Sequence, residues 1–171
     1  MTAKRLQKAA HSRPPKSPPK EEQHAVLCFV VQDGEILLIK KKRGLGAGKV
    51  NAPGGRIEPG ESAEQAACRE CREEVGLSPQ GLSRAGELFF EFVDGLHLYC
   101  TVFRARSAQG EMVETDEAAP FWCRTQAIPY RDMWADDSLW LPWLLSGRPF
   151  RGTFRFDGDR MLEQRVEPLD R

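Results

Sequence analysis

The chain of 171 residues sets 25 Lys and Arg against 25 Asp and Glu, so no net field draws it toward nucleic acid or an anionic membrane, and any affinity for phosphate must be local. With 40% hydrophobic and 29% charged residues, this length suits one domain with its own core. Five cysteines, an odd number without the spacing of a disulfide framework, point to reduced thiols in a cytoplasmic compartment, and the longest apolar runs, AVLCFVV and LWLPWLL, are too short to span a bilayer.

Residues 1–24 differ from the rest: they hold six Lys or Arg and four Pro, with no acidic residue through Lys20 and no apolar periodicity. The PPKSPPK stretch excludes an amphipathic targeting helix, so the expectation is a disordered basic tail ahead of a globular unit over residues 25–171. AVLCFVVQDGEILLIKKK reads as two strands joined by a tight turn at Asp33-Gly34. LGAGKVNAPGG is a loop. It leads into GGRIEPGESAEQAACRECREEVGL, where Ser62 with Gln65 forms a capping box, Ala63 to Val75 has no helix breaker, and Gly76 is a natural C-cap. GELFFEFV and LHLYCTVFRA predict two strands around Asp94-Gly95, and FWCR a further one. DDSLWLPWLL predicts a short helix capped by Asp136 or Asp137, and GTFRFDGDRMLEQRVE a closing hairpin at Asp157-Gly158.

The glutamate-rich helix asks for an explanation. Glu70, Glu73 and Glu74 stand at i, i+3 and i+4, where like charges repel. Either a hard divalent cation sits among them, or the face is merely solvated and neutralised by Arg69 and Arg72; the triplet alone decides neither way. The Cys68-x-x-Cys71 pair lies in mid-helix, where no helix N-terminus lowers a thiol pKa, and reads as core filling. His11, His24 and His97 have no sequence partners that suggest catalysis.

The wider pattern settles more. Gly55, five residues, Glu61, seven residues, Arg69-Glu70, apolar Cys71, one residue, Glu73-Glu74, one residue, Gly76 and apolar Leu77 resemble the Nudix box at every fixed position. The resemblance implies the Nudix fold, an α/β (α+β) architecture with a mixed sheet sandwiched between helices, and hydrolysis of a nucleoside diphosphate linked to another moiety. It implies Glu70, Glu73 and Glu74 as catalytic residues that, with the Gly55 carbonyl and Glu117, hold Mg²⁺ or Mn²⁺. Glu61 and Arg69 would lock loop to helix. Residues 25–169 further resemble the animal-type 8-oxo-dGTP diphosphatases, which implies Lys41, Asn51, Phe90, Trp134, Asp136 and Asp137 as substrate-binding residues. The implied reaction converts an oxidised purine nucleoside triphosphate to the monophosphate and pyrophosphate. Two positions depart from that group: Leu45 replaces an aromatic, and Val50-Asn51-Ala52-Pro53 replaces a Trp-Asn-Gly-Phe loop. Sugar nucleotides, dinucleoside polyphosphates or RNA caps therefore stay open as substrates, as does a non-catalytic nucleotide-binding module. The expected partner is a nucleotide, with no stable nucleic-acid complex, no membrane, and a monomeric cytoplasmic protein.

Overall fold

The computed structural model describes residues 22–170, so most of the expected tail, residues 1–21, lies outside the described residues. The expected boundary needs one correction. Glu22, Gln23 and His24 belong to β1 (Glu22–Gln32), whose parallel register sets Glu22 opposite His97, Gln23 opposite Leu98 and His24 opposite Tyr99. Ladder pairing satisfies backbone groups whatever the side chain, so three polar letters that read as tail lie in a strand.

The turn at Asp33-Gly34 leads into β2 (Glu35–Lys41), followed by the short strands β3 (Val50–Asn51) and β4 (Gly54–Arg56). Helix α1 (Ala63–Val75) comes next, then β5 (Leu77–Gln80), β6 (Ser83–Phe92), β7 (His97–Ala105), β8 (Ser107–Gly110) and β9 (Ala118–Arg124). A 3₁₀ turn at Tyr130–Asp132 precedes α2 (Asp137–Leu145) and the hairpin β10 (Phe150–Asp157) and β11 (Arg160–Pro168). The large sheet is ordered β11-β10-β6-β7-β1-β2-β3, with β4 paired to β1 and β9 to β2. It is mixed, because β1 runs parallel to β7 and β6 parallel to β10.

Helices cover both faces. Ala66, Ala67, Cys71 and Val75 of α1 pack on Val26, Cys28, Val30 and Phe103, while Trp140, Leu141 and Leu144 of α2 pack on the opposite face with Phe29, Leu38, Phe150 and Phe154. Alternate side chains of β1 thus enter two different cores, which is why its sequence is a continuous apolar run rather than an alternating one. The expected mixed sheet between helices is the observed architecture.

Two features aim the site. Helix α1 is capped as expected: Ser62 Oγ accepts from Gln65 N–H (3.1 Å), and Gln65 Oε1 accepts from Ser62 N–H (2.9 Å). Meanwhile β1 divides its edge, pairing Ala25, Val26 and Leu27 with Arg56, Gly55 and Gly54 before it meets β2 at Val31. That division drives β4 in beside α1. The expected cap of α2 is corrected: Asp136 occupies the N-cap position but makes no side-chain cap bond, since its carboxylate accepts from Trp140 Nε1–H (2.8 Å) instead. The pairing of β5 with β8 has no counterpart in the sequence reading, because Leu-Ser-Pro-Gln and Ser-Ala-Gln-Gly carry no apolar alternation.

Candidate active site

The site begins where β4 meets α1. A Cβ on Gly55 would lie 2.6 Å from Glu70 Cδ, so any side chain here would push the Glu70 carboxylate out of place. Glu70 and Glu74, one helical turn apart, face the same way, and Glu117, from the loop before β9, joins them: one oxygen of each lies within 4.8 Å of the others. Glu73 is not part of this cluster. It is exposed and accepts from Arg69 Nη1 (3.1 Å).

Arg69 organises the outer side of the helix. Its Nε and Nη2 grip Glu61 at 2.7 and 2.9 Å, Nη2 also donates to the Arg56 carbonyl at 3.0 Å, and Nη1 donates to Glu70 at 2.8 Å. The Arg69 bond holds the Glu61 carboxyl below its ordinary range. Glu61 thus ties the loop after β4 to the helix.

The three clustered carboxylates lack enough positive charge. Glu117 has Arg43 (2.7 Å) and Glu70 has Arg69, while the Glu74 carboxylate accepts from Gly54 N–H at a long 3.4 Å and has the Lys41 charge only as a minor counterweight. Burial, reinforced by the neighbouring Glu70 charge, pushes Glu74 up to about 8. Burial also raises Glu70 against the pull of Arg69. Convergent carboxylates held apart from their usual charge state are a donor set for a hard divalent cation, so these residues fit a metal.

A cavity opens from this centre. Its lining includes Gly54, Gly55 and Glu74 together with Lys41, Leu45, Asn51, Phe90, Trp134, Asp136 and Asp137. Phe90 stacks on Phe154 with centroids 5.7 Å apart, and Trp134 meets Phe156 edge-on at 5.4 Å. Lys49 Nζ sits 5.1 Å from the centre of the Trp134 ring. Ala52 N–H occupies Asn51 Oδ1 (2.8 Å), which leaves the amide NH₂ as the group to offer a ligand.

The two aspartates are buried, at 1% and 3% exposure, and Asp136 Oδ1 and Asp137 Oδ2 have no hydrogen-bond partner among the described residues. Burial raises both: Asp136 to about 6, restrained by the Trp140 N–H, and Asp137 well above its usual range, with the Asp136 charge adding to the effect. Two carboxyls raised together favour sharing a proton, and a shared proton sets a donor beside an acceptor.

Every substrate-binding residue expected from the sequence lines this one cavity, as do Gly55 and Glu74. The sequence reading missed Phe92, Leu98 and Trp140 on its wall. Strand alternation from Phe90 points to Phe92, and the i+4 spacing from Asp136 points to Trp140. Nothing local foretells Lys49 over Trp134.

The chain is similar to known proteins. A sequence model of the NUDIX domain matches residues 21–144. An oxidized purine nucleoside triphosphate hydrolase of Danio rerio is 44% identical over 146 residues, covering 84% of this chain and 94% of the relative. Its namesake in Mus musculus is 40% identical over the same shares. The crystal structure of a mutator MutT protein from Bacillus halodurans superposes with a TM-score of 0.77 at 29% identity, covering 86% of this chain and 99% of that one. With the box residues on β4 and α1 in the geometry described above, the chain belongs to the Nudix hydrolase family.

Proposed function

We propose that this Nudix hydrolase splits oxidised purine nucleoside triphosphates, 8-oxo-dGTP among them, into the nucleoside monophosphate and pyrophosphate, with Mg²⁺ as its ion. Divalent cations are the general cofactor of the family, and Mn²⁺ fits the same donors. The observation that carries the reading is one cavity whose lining joins Glu74, a member of the carboxylate cluster, to two buried, unpartnered aspartates. Unpaired buried oxygens require a ligand that supplies their hydrogen bonds, and a purine edge offers both a donor and an acceptor. The two animal relatives, named for this activity, match over most of the chain.

In this reading Glu70, Glu74 and Glu117 hold the ion, with the Gly55 carbonyl beside them. The ion supplies neutralisation of the polyphosphate and activation of the attacking water. Glu73, on the exposed side of α1 and bonded to Arg69, steadies that arginine or serves a second ion. Lys41 adds positive charge at the cavity wall, and Leu45 offers the base an aliphatic contact where stacking area would otherwise lie. The balanced charge favours no stable nucleic-acid complex, so the simplest partner is a free nucleotide bound by a monomer. No helix among the described residues is long and apolar enough to cross a membrane; a cytoplasmic location is part of the proposal.

The test is turnover of 8-oxo-dGTP, dGTP, ADP-ribose and a dinucleoside polyphosphate by the full chain with Mg²⁺, with pyrophosphate and orthophosphate distinguished. Selective conversion of 8-oxo-dGTP with release of pyrophosphate is expected, while faster cleavage of ADP-ribose would transfer the enzyme to another substrate class. Glu74→Gln keeps the shape of the side chain and removes a ligand charge, and should lower turnover by about a hundredfold or more.

A further inference from the structure

Glu117 is the one carboxylate of the cluster that arrives on a loop, between β8 and β9, so its distance from the helix carboxylates depends on how that loop is held. A single hydroxyl joins the two. Thr115 Oγ1 donates to the backbone carbonyl of Glu74 (2.8 Å) and accepts from the backbone N–H of Glu117 (3.3 Å). Thr115 N–H donates to the Ala118 carbonyl (3.0 Å), closing a turn around Glu117. Nearby bonds hold the rest of the loop: Val113 N–H to Val75 O (2.9 Å), Lys42 N–H to Glu117 O (2.9 Å) and Lys42 Nζ to Thr115 O (2.7 Å). Of these, the Thr115 hydroxyl alone bonds to the main chain of two clustered carboxylate residues at once.

We propose that Thr115 is a positioning residue of the metal centre, its hydroxyl fixing the loop carboxylate of Glu117 against the helix carboxylate of Glu74 and thereby setting the affinity for a divalent cation. The inference rests on the reading that Glu70, Glu74 and Glu117 hold that cation. A ligand on an unpinned loop occupies its binding position for only a fraction of the time, and apparent affinity falls by that fraction. Outer partners of metal ligands commonly contribute 10–100-fold in affinity; because Lys42 and Val113 continue to hold the loop, the effect here belongs at the low end, about tenfold.

The experiment measures Mn²⁺ binding to the full chain without nucleotide, by the loss of the free-ion electron paramagnetic resonance signal. Thr115→Val keeps the shape and deletes the hydroxyl, Thr115→Ser keeps the hydroxyl, and Glu117→Gln deletes the ligand charge. Thr115→Val should weaken binding about tenfold and Thr115→Ser by less than about threefold. Thr115→Val should cost less than its single-variant tenfold when Glu117→Gln is already present, because the side chain it then places is a neutral, weaker ligand. Wild-type affinity in Thr115→Val, equal weakness in Thr115→Ser, or additive losses in the double variant would each overturn the inference. Wild-type affinity in Glu117→Gln would remove Glu117 from the metal reading and take the Thr115 inference with it, whereas a loss in Glu117→Gln alone leaves the metal reading standing and removes only Thr115.

Discussion

Asp136 and Asp137 show how much one residue's surroundings decide. Each has an ordinary helix-start identity, yet the structure buries both, gives Asp136 the Trp140 N–H and leaves one oxygen on each unpaired. A pocket that requires hydrogen bonds rejects a base lacking them, because each mismatch strands a buried polar group at about 1–3 kcal/mol. Asp136→Asn and Asp137→Asn each replace a carboxyl of the pair with an amide of similar shape, and each should cut the preference for 8-oxo-dGTP over dGTP by roughly tenfold while leaving Mn²⁺ affinity unchanged. Steady-state kinetics on both nucleotides check this; an unchanged ratio in both variants would shift base selection to the stretch from Leu45 to Pro53. At this scale the sequence was legible mainly through family resemblance. Composition could not say that Glu73 turns away from Glu70 and Glu74, although helix geometry explains it: positions 73 and 74 lie about 100° apart around the axis, and Arg69, four residues before Glu73, draws it to its own side.

The element scale turns on the two ends of α1. Gly76 closes the helix at φ 76°, and its N–H donates to Arg72 O (3.0 Å). A Cβ there would lie 2.8 Å from Glu111 O and 2.9 Å from Val113 Cγ2, both in the loop that carries Glu117. Gly76→Ala should therefore combine left-handed strain with a clash, lowering stability by about 2–3 kcal/mol and weakening metal binding as well. Gly60 provides the control: its φ is 77°, but a Cβ there meets nothing within 4 Å, so Gly60→Ala should lose only about 1 kcal/mol. Denaturant titration of both variants separates the two contributions, and equal losses would remove the loop contact from the account. Helix α1 was readable to the residue because its caps are written in side chains with specific jobs, Ser62, Gln65 and Gly76. The short strands β3, β4, β5 and β8 were not, since two to four residues carry no period and their pairing depends on distant partners. The start of β1 was hidden for a related reason: Glu22, Gln23 and His24 are set by β7, not by their own character.

At the scale of the whole molecule, the buried carboxyls couple folding to pH and metal. Glu74, raised to about 8, Asp136, raised to about 6, and Glu70 and Asp137, raised by burial, all bind protons more tightly in the folded protein than in the unfolded chain. A group whose folded pKa is raised contributes stability that is complete below its unfolded value and is lost as pH climbs through the folded value. Metal-free protein should therefore lose stability from about pH 5 to pH 8.5, by an amount on the order of a few kcal/mol. Glu61, Glu64 and Glu87, whose carboxyls are lowered, do not confuse this window, because their contribution is already present above the ordinary carboxylate range and fades only on acidification. A divalent ion changes the sign of the demand at Glu70 and Glu74: it needs the ionised form, so binding releases protons and tightens as pH rises. The stabilisation conferred by saturating Mg²⁺ should accordingly be larger at pH 8.5 than at pH 6. Glu74→Gln should flatten the metal-free decline, leaving the portion that belongs to Glu70 and the aspartate pair. Thermal melts in chelator and in Mg²⁺ across this range decide the matter: a metal-free melting temperature that holds level or rises from pH 5 to pH 8.5, or a Mg²⁺ increment independent of pH, would mean that these carboxyls are not held protonated by the fold.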